Sequence, residues 1–187
     1  MNDRQKCKCA LVCIAKDEDY YIQEWIDYHL KLGFSDVYIW QNNWRSAIVK
    51  ESKHVHLKVI DGEFKQVECY NLAIDELHAM YDWIAFFDVD EFLVVKSISG
   101  FSHINDFLSQ DKYSMIPSIC VNWRIFGDNN HSSIDTWNVL RRFTKCSAML
   151  EDTSKVILHT SLTHDKAYFF YNPHCTTCFQ YDPNLKF

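Results

Sequence analysis

Two aspartates one residue apart, Asp88-Val89-Asp90, follow the apolar run 83–87 (WIAFF). Side chains of an extended chain alternate with a period of two, so both carboxylates can face one side where a core strand reaches the surface. Carboxylates held so close repel unless positive charge sits between them. A hard divalent cation, Mn²⁺ or Mg²⁺, supplies that charge and prefers oxygen ligands. Such an ion can bridge a diphosphate and stabilise its charge as it leaves. The triplet is common by chance, and two solvated acids are the plain alternative, so its meaning depends on the elements around it.

Those elements alternate. Residues 9–15 (CALVCIA) form a short continuous apolar run suited to a buried parallel strand. After the polar turn 16–19, Ile22, Trp25, Ile26, His29 and Leu30 recur at helical steps, and Gly33 follows as a C-cap. Strands are expected at 37–40, 54–60 and 83–87. A second helix is expected over 66–81, with Tyr70, Ala73, Ile74, Leu77 and Tyr81 on one face. The fold class is therefore α/β, a mostly parallel open sheet flanked by helices, with right-handed crossovers. Ligands of such sheets bind beyond the carboxyl ends of the strands. Three polar clusters fall there: 16–18, 41–43 and 88–91. Beyond Lys96 a strand is expected at 115–121, then a polar loop, and the tail from Lys145 reads as irregular.

At 187 residues the chain has the length of one domain, 1–187, and its 48% hydrophobic content suits an ordinary core. A net charge of −6 without a Lys/Arg cluster argues against nucleic acid as partner, although an anionic small molecule can bind through a cation. No run reaches the roughly 20 apolar residues of a membrane span, and the opening MNDRQKCKC lacks a signal peptide's apolar stretch. The expectation is a cytoplasmic chain whose eight cysteines are reduced thiols. Cys7 and Cys9 with Cys175 and Cys178 would make a zinc site only if the ends of the chain met.

Ordered blocks then carry a resemblance. Ile14-Ala15-Lys16-Asp17-Glu18 through Glu24-Trp25-Ile26, His29 and Leu32-Gly33-Phe34 resembles the opening of the family 92 and family 2-like glycosyltransferases. So do the Asn-rich turn at 39–43, the block 83–93 (WIAFFDVDEFL), and Asn122-Trp123 to Gly127 with His131. The resemblance implies a single GT-A (Rossmann-like) domain, with 1–121 binding the nucleotide sugar and 122–187 forming the acceptor side and tail. It implies Mn²⁺ (or Mg²⁺) on Asp90, with Asp88 on the ribose or metal. Lys16, Glu18 and Asn42 would line the nucleotide pocket. The chain departs from the family at Asp17, Gln41, Asp128 and Asn130.

The reaction so implied is a single displacement with inversion, from a UDP-sugar such as UDP-galactose to a glycan or lipid-linked saccharide. The enzyme would act free in the cytoplasm or transiently at the inner membrane surface. Asp128 is the candidate base, with Glu91 and Asp152 as rivals. His174 is the candidate third metal ligand, with His159 and His164 competing. Lys155 would neutralise phosphate, and Trp123, with His131 nearby, would offer a platform for a sugar. Two other readings stay open. One is a haloacid-dehalogenase-like phosphatase, whose first motif is also D-x-D after an apolar strand; the other is a non-catalytic nucleotide-sugar-binding relic.

Overall fold

The most apolar run lies at the centre of the sheet. In the computed structural model, which describes residues 6–95, 102–131, 138–163 and 169–177, β1 (Cys9–Ala15) is buried on both faces. It pairs in parallel with β2 (Asp36–Gln41) on one side and β4 (Trp83–Phe86) on the other. Beyond β2 lies β3 (Val55–Val59), also parallel. Beyond β4 come β6 (Ser154–His159), antiparallel to it, and then β5 (Ser118–Asn122), antiparallel to β6. The order is β3-β2-β1-β4-β6-β5, a six-stranded, mostly parallel mixed sheet. From β1 the chain steps outward to β2 and β3, then returns to β4 on β1's other side. The carboxyl ends of β1 and β4 therefore flank a topological switch point, the position at which open α/β sheets bind their ligands.

Each face of the sheet carries a core. Helix α1 (Ile22–Leu32) packs Ile22, Trp25 and Ile26 with Leu11, Cys13, Ile39, Ala85 and Ile157. Helix α2 (Gln66–Leu77) packs Cys69, Tyr70, Ala73, Ile74 and Leu77 with Ala10, Val12, Ile84, Phe86 and Val156. Gly33 closes α1 at φ 103°, and a Cβ there would lie 3.0 Å from His103 Cβ, so glycine is required on both counts. The short helices α3 (Ile104–Leu108) and α4 (Val139–Arg142) complete the α-helices among the described residues. The hairpin of β7 (Phe170–Asn172) and β8 (Cys175–Thr176) rests on α2. There Asn71 bonds the Phe170 backbone in both directions, and the Phe170 ring meets Tyr70 and Phe86 at 5.1 and 4.7 Å.

Three expectations shift. The second helix stops at Leu77 rather than Tyr81, because the Tyr81 hydroxyl turns back to donate to the Asp36 carboxylate at 2.8 Å. The strand expected from Met115 starts at Ser118, because a 3₁₀ turn at Asp111–Tyr113 precedes it and Pro117 has no N–H for a ladder. The tail is not irregular: its segment Ser154–His159 is an inner strand. No helix among the described residues is long and apolar enough to cross a membrane.

Candidate functional site

Past Ala15 the chain makes a tight turn with Asp17 in the left-handed region (φ 60°), and the Glu18 carbonyl accepts the N–H groups of Tyr21 and Ile22 at 3.0 Å to start α1. Past Phe86 the N–H of Phe87 still reaches the Val12 carbonyl, and then the segment turns. The Glu91 N–H donates to the Asp88 carbonyl (3.1 Å), and Glu91 Oε2 accepts the Asp88 N–H (2.8 Å), closing the turn on itself. From α1, the Trp25 indole donates to the Glu91 carbonyl (2.8 Å) and the Tyr28 hydroxyl to the Leu93 carbonyl (2.7 Å). The apolar stripe of α1 thus fixes both the core and the carboxylate turn.

Inside that turn the two aspartates have opposite surroundings. Asp88 Oδ2 accepts from the Lys155 ammonium at 2.6 Å, and Oδ1 accepts from Gln66 Nε2 at 2.7 Å and the Tyr70 hydroxyl at 3.3 Å. Burial holds the Tyr70 phenol well above its ordinary pKa, so it stays a donor. Asp90 is exposed and makes no hydrogen bond or ion pair among the described residues. Its charge reaches Glu18, whose carboxyl is raised first by burial and then by the negative fields of Asp90, Asp17 and Asp88. Glu91 is pushed up to about 8, chiefly by burial, with Lys155 opposing and Asp88 adding to the rise.

These surroundings suit a hard dication held through Asp90. Mg²⁺-like sites on nucleotides use one or two carboxylates plus substrate phosphates and waters rather than an all-protein cage. Among the described residues no three His, Cys, Asp or Glu side chains converge closely enough to hold a metal by themselves. Asp88, with both oxygens already bonded, has less to offer a metal than the sequence expectation gave it.

Lys155 departs furthest from its expected role. It is 2% exposed, and its ammonium is spent on Asp88, lies 3.7 Å from Glu91 Oε1 and sits 5.8 Å from the Trp123 ring centroid. The antiparallel register places Val156 opposite Phe86, so Lys155 falls beside the start of the carboxylate turn. It neutralises a protein carboxylate instead of a phosphate. Gln66 and Tyr70, which fix the other oxygen of Asp88, were legible only as positions on a helix.

Asn42 bridges instead of pointing free: its amide donates to the carbonyls of Ile60 and Gly62 (2.8 and 2.9 Å), tying the end of β2 to the turn after β3. Lys16 is exposed at the end of β1. Asp128 lies in the exposed loop after β5, where Oδ1 accepts the Asn130 N–H (2.9 Å) and the Asp128 carbonyl accepts the His131 N–H (3.0 Å). Asn129 and Asn130 adopt left-handed conformations there (φ 57° and 62°), which Asn tolerates better than most residues. Asp152 is exposed just before β6.

Trp123 and His174 do meet, edge to face at 5.4 Å, beside Lys155. The His174 Nδ1 lies 3.1 Å from the Ser154 carbonyl, which can only accept, so Nδ1 carries the proton and Nε2 keeps a free lone pair. His159 is at the wrong end: it pairs with Trp83 at the start of β4, rings 4.3 Å apart. His164 and Cys178 lie outside the described residues. Two open clefts among the described residues also lie elsewhere. One of about 880 Å³ runs past Cys7, Asp82, Trp83 and His159 at the amino end of β4, and one of about 470 Å³ lies beside Tyr38, His56 and Met80.

No family model matches the chain, and no curated protein matches it in sequence. Among solved structures the likeness is weak. The mannosyltransferase PcManGT from Pyrobaculum calidifontis, in complex with GDP-Man and Mn²⁺, is 12% identical, with a TM-score of 0.46 over 86% of this chain and 46% of that one. WbbM, a bifunctional glycosyltransferase in its apo form, is 9% identical, with a TM-score of 0.42 over 89% of this chain and 34% of that one. The 4-diphosphocytidyl-2C-methyl-D-erythritol synthase from Anaerococcus prevotii is 5% identical, with a TM-score of 0.43 over 86% and 74%. At such values the likeness assigns no activity. The chain spans less than half the length of both glycosyltransferases.

Proposed function

We propose that this chain is a metal-dependent glycosyltransferase of the family 92 type, binding a nucleoside-diphosphate sugar at the carboxyl edge of its sheet. One observation carries the reading: of two aspartates at a topological switch point, Asp88 is neutralised by Lys155, Gln66 and Tyr70, while Asp90 is left exposed and uncompensated. An acid whose charge is felt by its neighbours but answered by none of them is a place for a cation. Mn²⁺ or Mg²⁺ held there would offset the diphosphate charge.

The chain's own residues divide the remaining work. Asp88, fixed from both oxygens, holds the turn that presents Asp90 and lies nearest the ribose. Lys16 and Glu18, at the end of β1, border the nucleotide across the switch point. Asn42 acts at one remove by fixing the turn after β3. Trp123 gives the sugar an apolar face, with His131 on the adjoining loop. The free Nε2 of His174 is a further cation donor, in the arrangement usual for metal-binding histidines, whose other nitrogen donates to a carbonyl.

In a single displacement the acceptor oxygen attacks the anomeric carbon as the bond to the diphosphate breaks, and a base takes the acceptor's proton. Asp128 fits better than Glu91. Its carboxylate is exposed and has Oδ2 uncommitted, whereas Glu91, raised to about 8, is largely protonated at neutral pH. The donor in this reading is a UDP-sugar such as UDP-galactose, and the acceptor a glycan or lipid-linked saccharide. The test is to incubate the protein with Mn²⁺, UDP-galactose and a panel of saccharides and follow nucleoside diphosphate. Acceptor-dependent UDP release is expected. Binding without transfer to any acceptor would leave a nucleotide-sugar-binding module, and inorganic phosphate released from a monoester would replace the reading with a phosphatase.

A further inference from the structure

Arg142, the last residue of α4, is 7% exposed, and its Nε and Nη1 are buried without a hydrogen-bond partner. Among the described residues no carboxylate forms an ion pair with it, and the Phe143 ring lies 4.8 Å from the guanidinium carbon. A ring face offsets part of a cation's desolvation but accepts no in-plane hydrogen bond. Arginine also cannot shed its charge as a buried lysine or glutamate can. A lone buried charge is among the costlier features a fold can carry, and such groups are ordinarily paired. Lys155, the other buried Lys or Arg among the described residues, obeys that rule through Asp88.

The position of Arg142 gives the missing partner a place. The N–H groups of Val139 and Leu140, at the start of α4, donate to the Glu24 carboxylate (2.6 and 3.3 Å). Glu24 lies on the first turn of α1, next to Trp25, whose indole holds the Glu91 carbonyl. At the other end, the Arg142 carbonyl accepts from Asn129 (2.7 Å), within the turn that carries Asp128 and His131. Arg142 thus stands between the first turn of α1 and the loop after β5, on the side given above to the acceptor.

We propose that Arg142 is an oxyanion receptor that takes a phosphate or carboxylate group carried by the sugar acceptor. Guanidinium matches both anions in shape and charge and binds them through paired hydrogen bonds. The word acceptor rests on the glycosyltransferase reading, whereas the anion site does not. The donor's own diphosphate is the other source of the same chemistry.

The experiment compares wild type with Arg142→Met and Arg142→Lys, first by thermal unfolding in anion-poor buffer and then with inorganic phosphate added. Removing an unpaired buried charge should raise the melting temperature of Arg142→Met by roughly 2–4 °C. Phosphate should stabilise wild type, and Arg142→Lys in part, but not Arg142→Met. A melting temperature lowered by Arg142→Met in the anion-poor buffer, or an equal response to phosphate in all three proteins, overturns the anion site. UDP affinity in Mn²⁺ then distinguishes the sources. An unchanged UDP affinity, with KM for a phosphorylated or uronate acceptor raised at least tenfold in Arg142→Met, supports the acceptor. A tenfold loss of UDP affinity overturns that assignment in favour of the donor. The phosphate titration involves neither Asp90 nor a cation, so its outcome is independent of whether nucleotide binding succeeds.

Discussion

At the amino end of the sheet, Asp36 is answered on every side. His54 donates to it from 3.1 Å and His56 lies 3.5 Å away; Tyr81 donates from 2.8 Å and is itself bonded to Tyr38. At the carboxyl end, Lys155 answers Asp88, but Asp17, Glu18 and Asp90 lie together with no ion pair to any of them among the described residues. Both ends carry acids beside aromatic rings, and their composition would not separate them. Bookkeeping of charge does: the amino end is a closed network that joins β2, β3 and the approach to β4, and the carboxyl end has negative charge left over. Architecture satisfies its polar groups. Excess at a switch point is what a ligand completes.

Breaking the carboxyl-end lock should have the largest effect. Lys155→Met leaves the Asp88 carboxylate without its cation, and urea unfolding should show a loss of about 3–5 kcal/mol. A loss under 1 kcal/mol would mean that solvent already screens Asp88.

His29 sharpens the comparison from beneath the site. Its Nδ1–H donates to the Trp25 carbonyl (2.8 Å), and Nε2 accepts the Leu93 N–H (3.3 Å), so the ring is held neutral, with burial pushing its pKa down to about 4. A base with a depressed pKa contributes stability that is complete above the unfolded value of 6.5 and is lost as pH falls through about 4. Wild type should therefore lose on the order of 3 kcal/mol over that window relative to His29→Leu. Parallel acid dependence in the two proteins would contradict the neutral assignment.

The smallest effect belongs at the amino end. Asp36→Asn keeps the shape and weakens charge-assisted bonds, so it should cost about 1 kcal/mol and leave nucleotide affinity unchanged. Altered nucleotide binding in that variant would blur the distinction between the two ends.

The central strands were legible because CALVCIA and WIAFF are continuous apolar runs bounded by polar turns, and the end of α1 because Gly33 follows a clear helical stripe. The location of Asp88 and Asp90 followed from the same pattern. Strand β6 was hidden for a single physical reason. Its apolar run Val156–Leu158 is only three residues, and the lysine before it reads as solvent-facing until Asp88, far away in sequence, is known to be its partner. One long-range ion pair thus concealed both an inner strand and the role of Lys155. The division of labour between the aspartates was equally out of reach, since Gln66 and Tyr70 meet Asp88 only after α2 has packed. The unpaired guanidinium of Arg142 is likewise a property of packing, invisible in the dipeptide Arg141-Arg142.

The excess charge itself can be titrated. Calorimetry of UDP binding with and without Mn²⁺, in wild type and Asp90→Asn, tests the central claim most directly. The account predicts Mn²⁺-dependent binding in wild type, at least a hundredfold weaker in Asp90→Asn (about 2.7 kcal/mol), while the variant's unfolding free energy stays within about 0.5 kcal/mol of wild type. Equal, Mn²⁺-dependent affinity in both proteins would contradict it.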